Sequence, residues 1–263
     1  MSETLAESVR VHKEGQLSHL VLNRAAHLNA LNPEMLQTLL THLERLNKNE
    51  KVRVLVISAD GEKAFVAGAD INSMASLGPR PIADYVELGQ RVMRQIETVR
   101  FPVIAAVHGY ALGGGLELAL ACDLIVAADD AKLGQPEVGL GILPGFGGTQ
   151  RLIHRCGVAA ARRLVYTGEI ISAEEALRLG IVDKLVPRGE IIDAAYAWAN
   201  TIIQKAPLAV AASKRVIRES QDQCLNAGLR LEVAAFLELF PTLDREEGMD
   251  AFKHKREAKF TGK

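Results

Sequence analysis

Two hydrophobic periods divide the chain. Short apolar runs with glycine and polar punctuation alternate with helix-period segments up to about residue 190; beyond it only the helix period remains. Residues 9–12 and 17–22 alternate as a hairpin would, with a turn at Glu14-Gly15. Asn32-Pro33-Glu34 is a helix start, an N-cap followed by proline at the first helical position, and the helix is expected to run to about Asn47. Residues 52–58 predict a strand ending at Asp60-Gly61, and 65–70 a short extended piece that breaks at Gly68. Residues 82–99 carry a helical period, preceded by Gly78-Pro79-Arg80-Pro81, which reads as a lid-like turn. After Pro102, residues 103–107 are uninterruptedly apolar and β-branched, the pattern of a strand buried on both faces. A helix from Leu116, a strand over 121–126, helices over 150–155 and 159–167, a capped helix from Ser172 to Gly180 and a strand over 181–186 follow. Four helices then close the chain: 191–206, 207–220, 223–240 and 245–259, the last capped by Asp244. The pattern predicts an α/β fold coiled from strand-strand-helix units. It places a core over 1–190 and a helical region over 191–263, which either self-associates or packs on its own core.

Composition narrows the class. The 263 residues are 48% hydrophobic and 24% charged, with a net charge of −1. That composition fits a globular protein and supplies no basic field for nucleic acid. The cysteines, Cys122, Cys156 and Cys224, are widely spaced, and no His or Cys cluster has metal-ligand spacing, so no metal is expected. The opening MSETLAESVR is not a signal-peptide pattern, and no run approaches the ~18 apolar residues of a membrane helix. Gly139-Leu140-Gly141 and Gly145-Phe146-Gly147-Gly148 do not fit the dinucleotide fingerprint, and no Walker-type loop is present.

The candidate chemistry lies between Pro102 and Arg151. Gly113-Gly114-Gly115 stands at a strand-to-helix junction, where the backbone approaches a ligand closely and unpartnered helical N–H groups meet a positive dipole. Glu117 follows on the same face. By itself this is either a ligand site or a glycine turn with a solvated Glu. Glu137 then sits alone in an apolar, glycine-punctuated stretch, 134–145, which suggests a lined pocket. Two carboxyls in one apolar pocket are suited to acid and base roles. Asp123, within an apolar run, is expected to serve structural pairing.

HGYALGGGLELALACDLIVA, GQPEVGLGILPGFGGTQRL, AFVAGADI, LNRAAHLNALN and EGMDAFKHKREAKF together resemble the enoyl-CoA hydratase (crotonase) family over nearly the whole chain. The resemblance implies a crotonase-type superhelix with a C-terminal helical oligomerisation region. It also implies a hydro-lyase of fatty acid metabolism and β-oxidation, trimeric or hexameric; the scattered cysteines separately point to a reducing, cytoplasmic location. The reaction it implies is reversible syn addition of water to a trans-2-enoyl-CoA, with coenzyme A as part of the substrate and no separate cofactor. By the same resemblance, Ala69 and Gly114 supply an oxyanion hole through their backbone N–H groups. Glu117 and Glu137 hold the water, Glu117 as base and Glu137 as acid toward C2, and the Gly145 N–H helps to position it. Coenzyme A is expected along Arg24, Ala26, Leu28, Ala64, Phe65, Ala67, Gly68, Asp70 and Ile71. Ala25-Ala26-His27 departs from the proline and basic or polar residue frequent there, leaving a phosphate contact to the backbone or to His27. Phe252 and Lys253 match positions that touch the adenine end, from this subunit or a neighbour, or else form a solvated helix face. Met74, Leu77, Tyr85, Leu88 and Leu143 are expected to line the acyl pocket, and Arg151 to brace the loop.

Two rivals stand beside hydration. An isomerase moving a 3-enoyl to a 2-enoyl double bond needs one acid/base, so the presence of both Glu117 and Glu137 disfavours it. A non-catalytic acyl-CoA- or RNA-binding protein would need neither.

Overall fold

The computed structural model describes residues 8–13, 15–75 and 77–263; Glu14 of the expected turn and the N-terminal residues 1–7 lie outside that set. Two strands, β1 (Val9–Lys13) and β2 (Leu17–Leu22), pair antiparallel and lead to helix α1 (Pro33–Lys48). Asn32 caps α1 by accepting from the Met35 N–H at 2.8 Å, with Pro33 at the first helical position.

Three successive units then repeat one path. In each, one strand joins a large sheet, the next joins a small sheet, and a helix returns. The first is β3 (Val54–Ala59), β4 (Ala64–Val66), α2 (Ile71–Ala75) and α3 (Pro79–Thr98); the second is β5 (Val103–Val107), β6 (Tyr110–Leu112) and α4 (Gly114–Ala121). The third is β7 (Leu124–Ala128), β8 (Lys132–Gly134) and α5 (Gly148–Thr167), followed by β9 (Ile170–Ser172), α6 (Ala173–Arg178) and β10 (Lys184–Val186). The large sheet runs β1-β2-β3-β5-β7-β10 and the small one β4-β6-β8-β9. Beyond the β1-β2 hairpin the large sheet is parallel, each strand reached by a crossover connection.

The strand β5 explains its own composition. Val103, Ala105 and Val107 enter the main core under the helices, while Ile104 and Ala106 enter a second core on the opposite face. That second core is closed by α7 (Ile191–Ile203), through Ala194, Ala195 and Ala199. Both faces are covered, so no polar position survives in the strand.

Several expectations are corrected. The strand after α4 begins at Leu124, because α4 extends through Ala121. The Gly78-Pro79-Arg80-Pro81 segment is not a free turn but the start of a helix; Gly78 stands at the N-cap of α3 and Pro79 opens it. The two helices expected over 150–155 and 159–167 are present within α5, separated by non-helical backbone at Gly157, where φ is 77° and ψ 162°. Helices α8 (Pro207–Ser220) and α9 (Leu225–Leu239) follow, and the last helix, α10, spans Leu243–Lys253 rather than reaching residue 259. Its cap is Thr242, not Asp244. The Asp244 carboxylate is occupied by the chain end instead, accepting from the Thr261 and Gly262 N–H groups at 2.6 and 2.8 Å. Arg53 ties the same tail to the core by donating to the Phe260 carbonyl at 2.9 Å. Among the described residues no helix is long and apolar enough to cross a membrane, and no His, Cys, Asp and Glu group has the arrangement of a metal site.

Candidate active site

Two loops and one helix start converge. The segment entering α2 is held by Leu31: its N–H donates to the Gly68 carbonyl and its carbonyl accepts from the Asp70 N–H, both at 2.9 Å. Extended backbone alternates, so with Gly68 and Asp70 bonded to Leu31 the Ala69 N–H points the other way. It finds no acceptor among the described residues. The Gly114 N–H, first in α4, has none either. A Cβ on Gly114 would lie 3.3 Å from the Ala69 nitrogen and 3.2 Å from the Phe146 ring. A side chain at 114 would crowd both neighbours, so glycine favours this close approach, and unsatisfied N–H groups in such a setting are rare.

Glu117 rises from the first turn of α4 and is 1% exposed. Its Oε1 accepts from the N–H groups of Phe146 and Gly148 at 2.8 and 2.7 Å, at the start of α5. Burial pushes this carboxyl up to about 7; the Gly148 and Phe146 N–H groups oppose the rise and the Glu137 charge adds to it. Glu137 lies in a 3-10 turn, Pro136–Leu140, at 9% exposure. Burial raises its carboxyl as well. A Cβ on Gly113 would lie 2.8 Å from Glu137 Oε1, so the carboxylate sits directly over the glycine run.

Gln135, which the sequence reading passed over, joins the two acids. It is fully buried, packs against Gly148 beside Glu117, and donates its amide N–H₂ to the Glu137 oxygens at 2.9 and 3.1 Å in the orientation that satisfies both groups. Its position two residues before Glu137 was the available signal. Phe146 was also missed. Its ring, 3% exposed, stands against Gly114 and makes an edge contact with Tyr85 at 5.5 Å.

Other expected residues fall in three groups. Gly145 belongs to the site loop; its carbonyl accepts from Gln90 Nε2 at 2.9 Å and its N–H has no acceptor among the described residues. Ala26, Leu28 and Ala64 line a cleft of about 380 Å³ beside Lys63. Ala67 donates to the Leu28 carbonyl, and Asp70 caps α2 through the Ser73 N–H at 3.2 Å. The Arg24 side chain is committed to Asp70 and to the Ala30 carbonyl, Phe65 is core, and Ile71 is 55% exposed. Phe252 and Lys253 lie at the end of α10, where Phe252 is 86% exposed. Leu143 is 64% exposed, whereas Met74, Leu77 and Leu88 pack on the core.

The arrangement is two buried carboxyls of raised pKa facing a pair of free, adjacent N–H groups. It can hold an oxyanion and move two protons around it. Residues 12–263 match the family model described as enoyl-CoA hydratase/isomerase. The chain belongs to that family. It is 44% identical over 257 residues to the crotonyl-CoA hydratase of Syntrophomonas wolfei, covering 98% of this chain and 99% of that one. The short-chain-enoyl-CoA hydratase of Clostridium acetobutylicum is 42% identical over 249 residues, 95% of each. Among solved structures, the enoyl-CoA hydratase of Bacillus anthracis superposes with a TM-score of 0.95 at 38% identity, over 97% of this chain and 100% of that one. Family membership thus spans the core and the helical C-terminus alike.

Proposed function

We propose that the protein is an enoyl-CoA hydratase acting on short-chain trans-2-enoyl-CoA thioesters. The observation that carries this is the pair Glu117 and Glu137, both buried, beside the free N–H groups of Ala69 and Gly114. The thioester carbonyl oxygen sits between the two N–H groups and takes on negative charge as water attacks C3. Losing one such donor costs about 3 kcal/mol of transition-state stabilisation. Water is held by both carboxyls and the Gly145 N–H. Glu117 takes its proton and Glu137 delivers a proton to C2 on the same face, giving syn addition. Burial raises both carboxyls, and the Glu137 charge raises Glu117 further. The steps are proton transfers, and coenzyme A enters as part of the substrate. Its nucleotide end is assigned to the cleft at Ala26, Leu28 and Ala64, with Phe252 and Lys253 reaching it from a neighbouring subunit.

The names of the relatives support a short acyl chain. The exposed apolar faces of α8, α9 and α10 support a trimer or hexamer built through residues 191–263, around a core of 1–190. Three unpaired cysteines fit a reducing compartment, and the cytoplasm is the assigned location. Incubation of crotonyl-CoA in ¹⁸O-labelled water tests the reaction type. A hydratase places the label in a 3-hydroxy product; an isomerase or a binding protein places none.

A further inference from the structure

The loop that grips Glu117 is itself gripped from its other side. Gly145, Phe146, Gly147 and Gly148 present alternate peptides in opposite directions. The N–H groups of Phe146 and Gly148 point to Glu117 Oε1, at 2.8 and 2.7 Å. The intervening Phe146 carbonyl points away and accepts from Arg151 Nη1 at 2.7 Å. Arg151 is in turn fixed by Glu97 on α3 in a two-pronged pair, Nε to Oε1 at 2.5 Å and Nη2 to Oε2 at 3.0 Å. Gly147 has φ 110°, and a Cβ there would lie 2.1 Å from Arg151 Nη1, so the guanidinium lies directly on the loop backbone.

We propose that Arg151, oriented by Glu97, is a positioning residue for Glu117: by locking the Phe146–Gly147 peptide it aims both flanking N–H groups at the carboxylate. The planar fork of arginine suits this, because its geometry is fixed by Glu97 through Nε and Nη2 while Nη1 remains for the carbonyl. The Arg151 charge also favours ionised Glu117, alongside the two N–H groups. Removing Arg151 therefore releases the loop and raises the carboxyl further. This inference rests on the hydratase reading, in which Glu117 works as the base.

The test is the pH profile of kcat and KM for crotonyl-CoA hydration by wild type, Arg151→Gln, Arg151→Lys and Glu97→Gln, with thermal melting of each. Wild-type turnover checks the hydratase reading independently of the variants. For Arg151→Gln the expected result is a fall in kcat of about 10- to 100-fold from a displaced base, with KM little changed. Its profile moves to higher pH. Arg151→Lys, which keeps the charge and a donor for the carbonyl, returns the profile toward wild type but restores kcat only in part. Glu97→Gln, which loosens the fork without removing the cation, lowers kcat with a smaller displacement, and serves if Arg151→Gln does not fold. An active wild type whose variants lose rate only in step with melting temperature, with an unmoved profile, overturns the proposal and leaves a fold-stabilising ion pair.

Discussion

Glu117 is held between two opposing requirements: it is buried as a carboxyl, and it must carry charge during turnover. Its pKa rises from 4.5 to about 7 on folding, mainly through burial. Between those values the folded chain binds more protons than the unfolded chain, so stability falls as pH rises through that window, and the loss is complete above the folded value. The amide in Glu117→Gln keeps an oxygen for the Phe146 and Gly148 N–H groups and carries no charge. The variant should match wild type near pH 4, where both side chains are neutral, and be more stable at pH 8 by on the order of 3 kcal/mol. Melting curves at the two pH values check this; an equal difference at both would contradict it. The gain comes with loss of the base, the trade-off expected where a site opposes folding.

At the scale of elements, Lys214 decides how the C-terminal helices meet the core. From α8 its Nζ donates to the Ile96 and Phe101 carbonyls at 3.1 and 3.0 Å and to Asp123 Oδ2 at 2.7 Å. The same carboxylate oxygen accepts from the Val103 N–H at 2.7 Å. One ammonium thus joins α8 to the end of α3 and to the entries of β5 and β7. Lys214→Met leaves two carbonyls and a carboxylate without their donor, and should cost about 3–5 kcal/mol in urea unfolding; a loss under about 1 kcal/mol would place the pair with ordinary surface ion pairs. The structural pairing of Asp123 was legible in its apolar surroundings, but its partner, far along the chain, was not. The same division recurs elsewhere. Asn32-Pro33 and Ser172-Ala173-Glu174-Glu175 announce their helices because caps are local. The strands β6, β8 and β9, of three residues each, carry too few positions for any period to show. Asp244 reads as a cap and is instead captured by the chain end. Within the site, Glu117, Glu137 and the glycine run stood out by type and spacing. Gln135 lay two residues from Glu137 and was open to the same reasoning, whereas Phe146 and the Glu97–Arg151 pair act through contacts between distant segments, which spacing does not encode.

The whole molecule leaves apolar side chains uncovered. Leu229, Val233, Phe236 and Phe240 recur at helical spacing along α9 and are 47–62% exposed, and Phe252 on α10 is 86% exposed. Contiguous apolar faces of this kind are interaction surfaces. The trimer or hexamer assigned above should appear in sedimentation equilibrium of the wild type, and Val233→Glu with Phe236→Glu should reduce it to smaller species; a wild-type monomer at micromolar concentration would contradict the assignment.

The central claim is that two carboxyls together add water to an enoyl thioester. It is tested most directly by following loss of the conjugated enoyl-thioester absorbance of crotonyl-CoA with wild type, Glu117→Gln, Glu137→Gln and the double variant. The account predicts rapid loss in wild type and a fall of about 10²- to 10⁴-fold in each single variant, with the double variant little worse than either because the acids act as a unit. Turnover that survives the loss of either glutamate would contradict it.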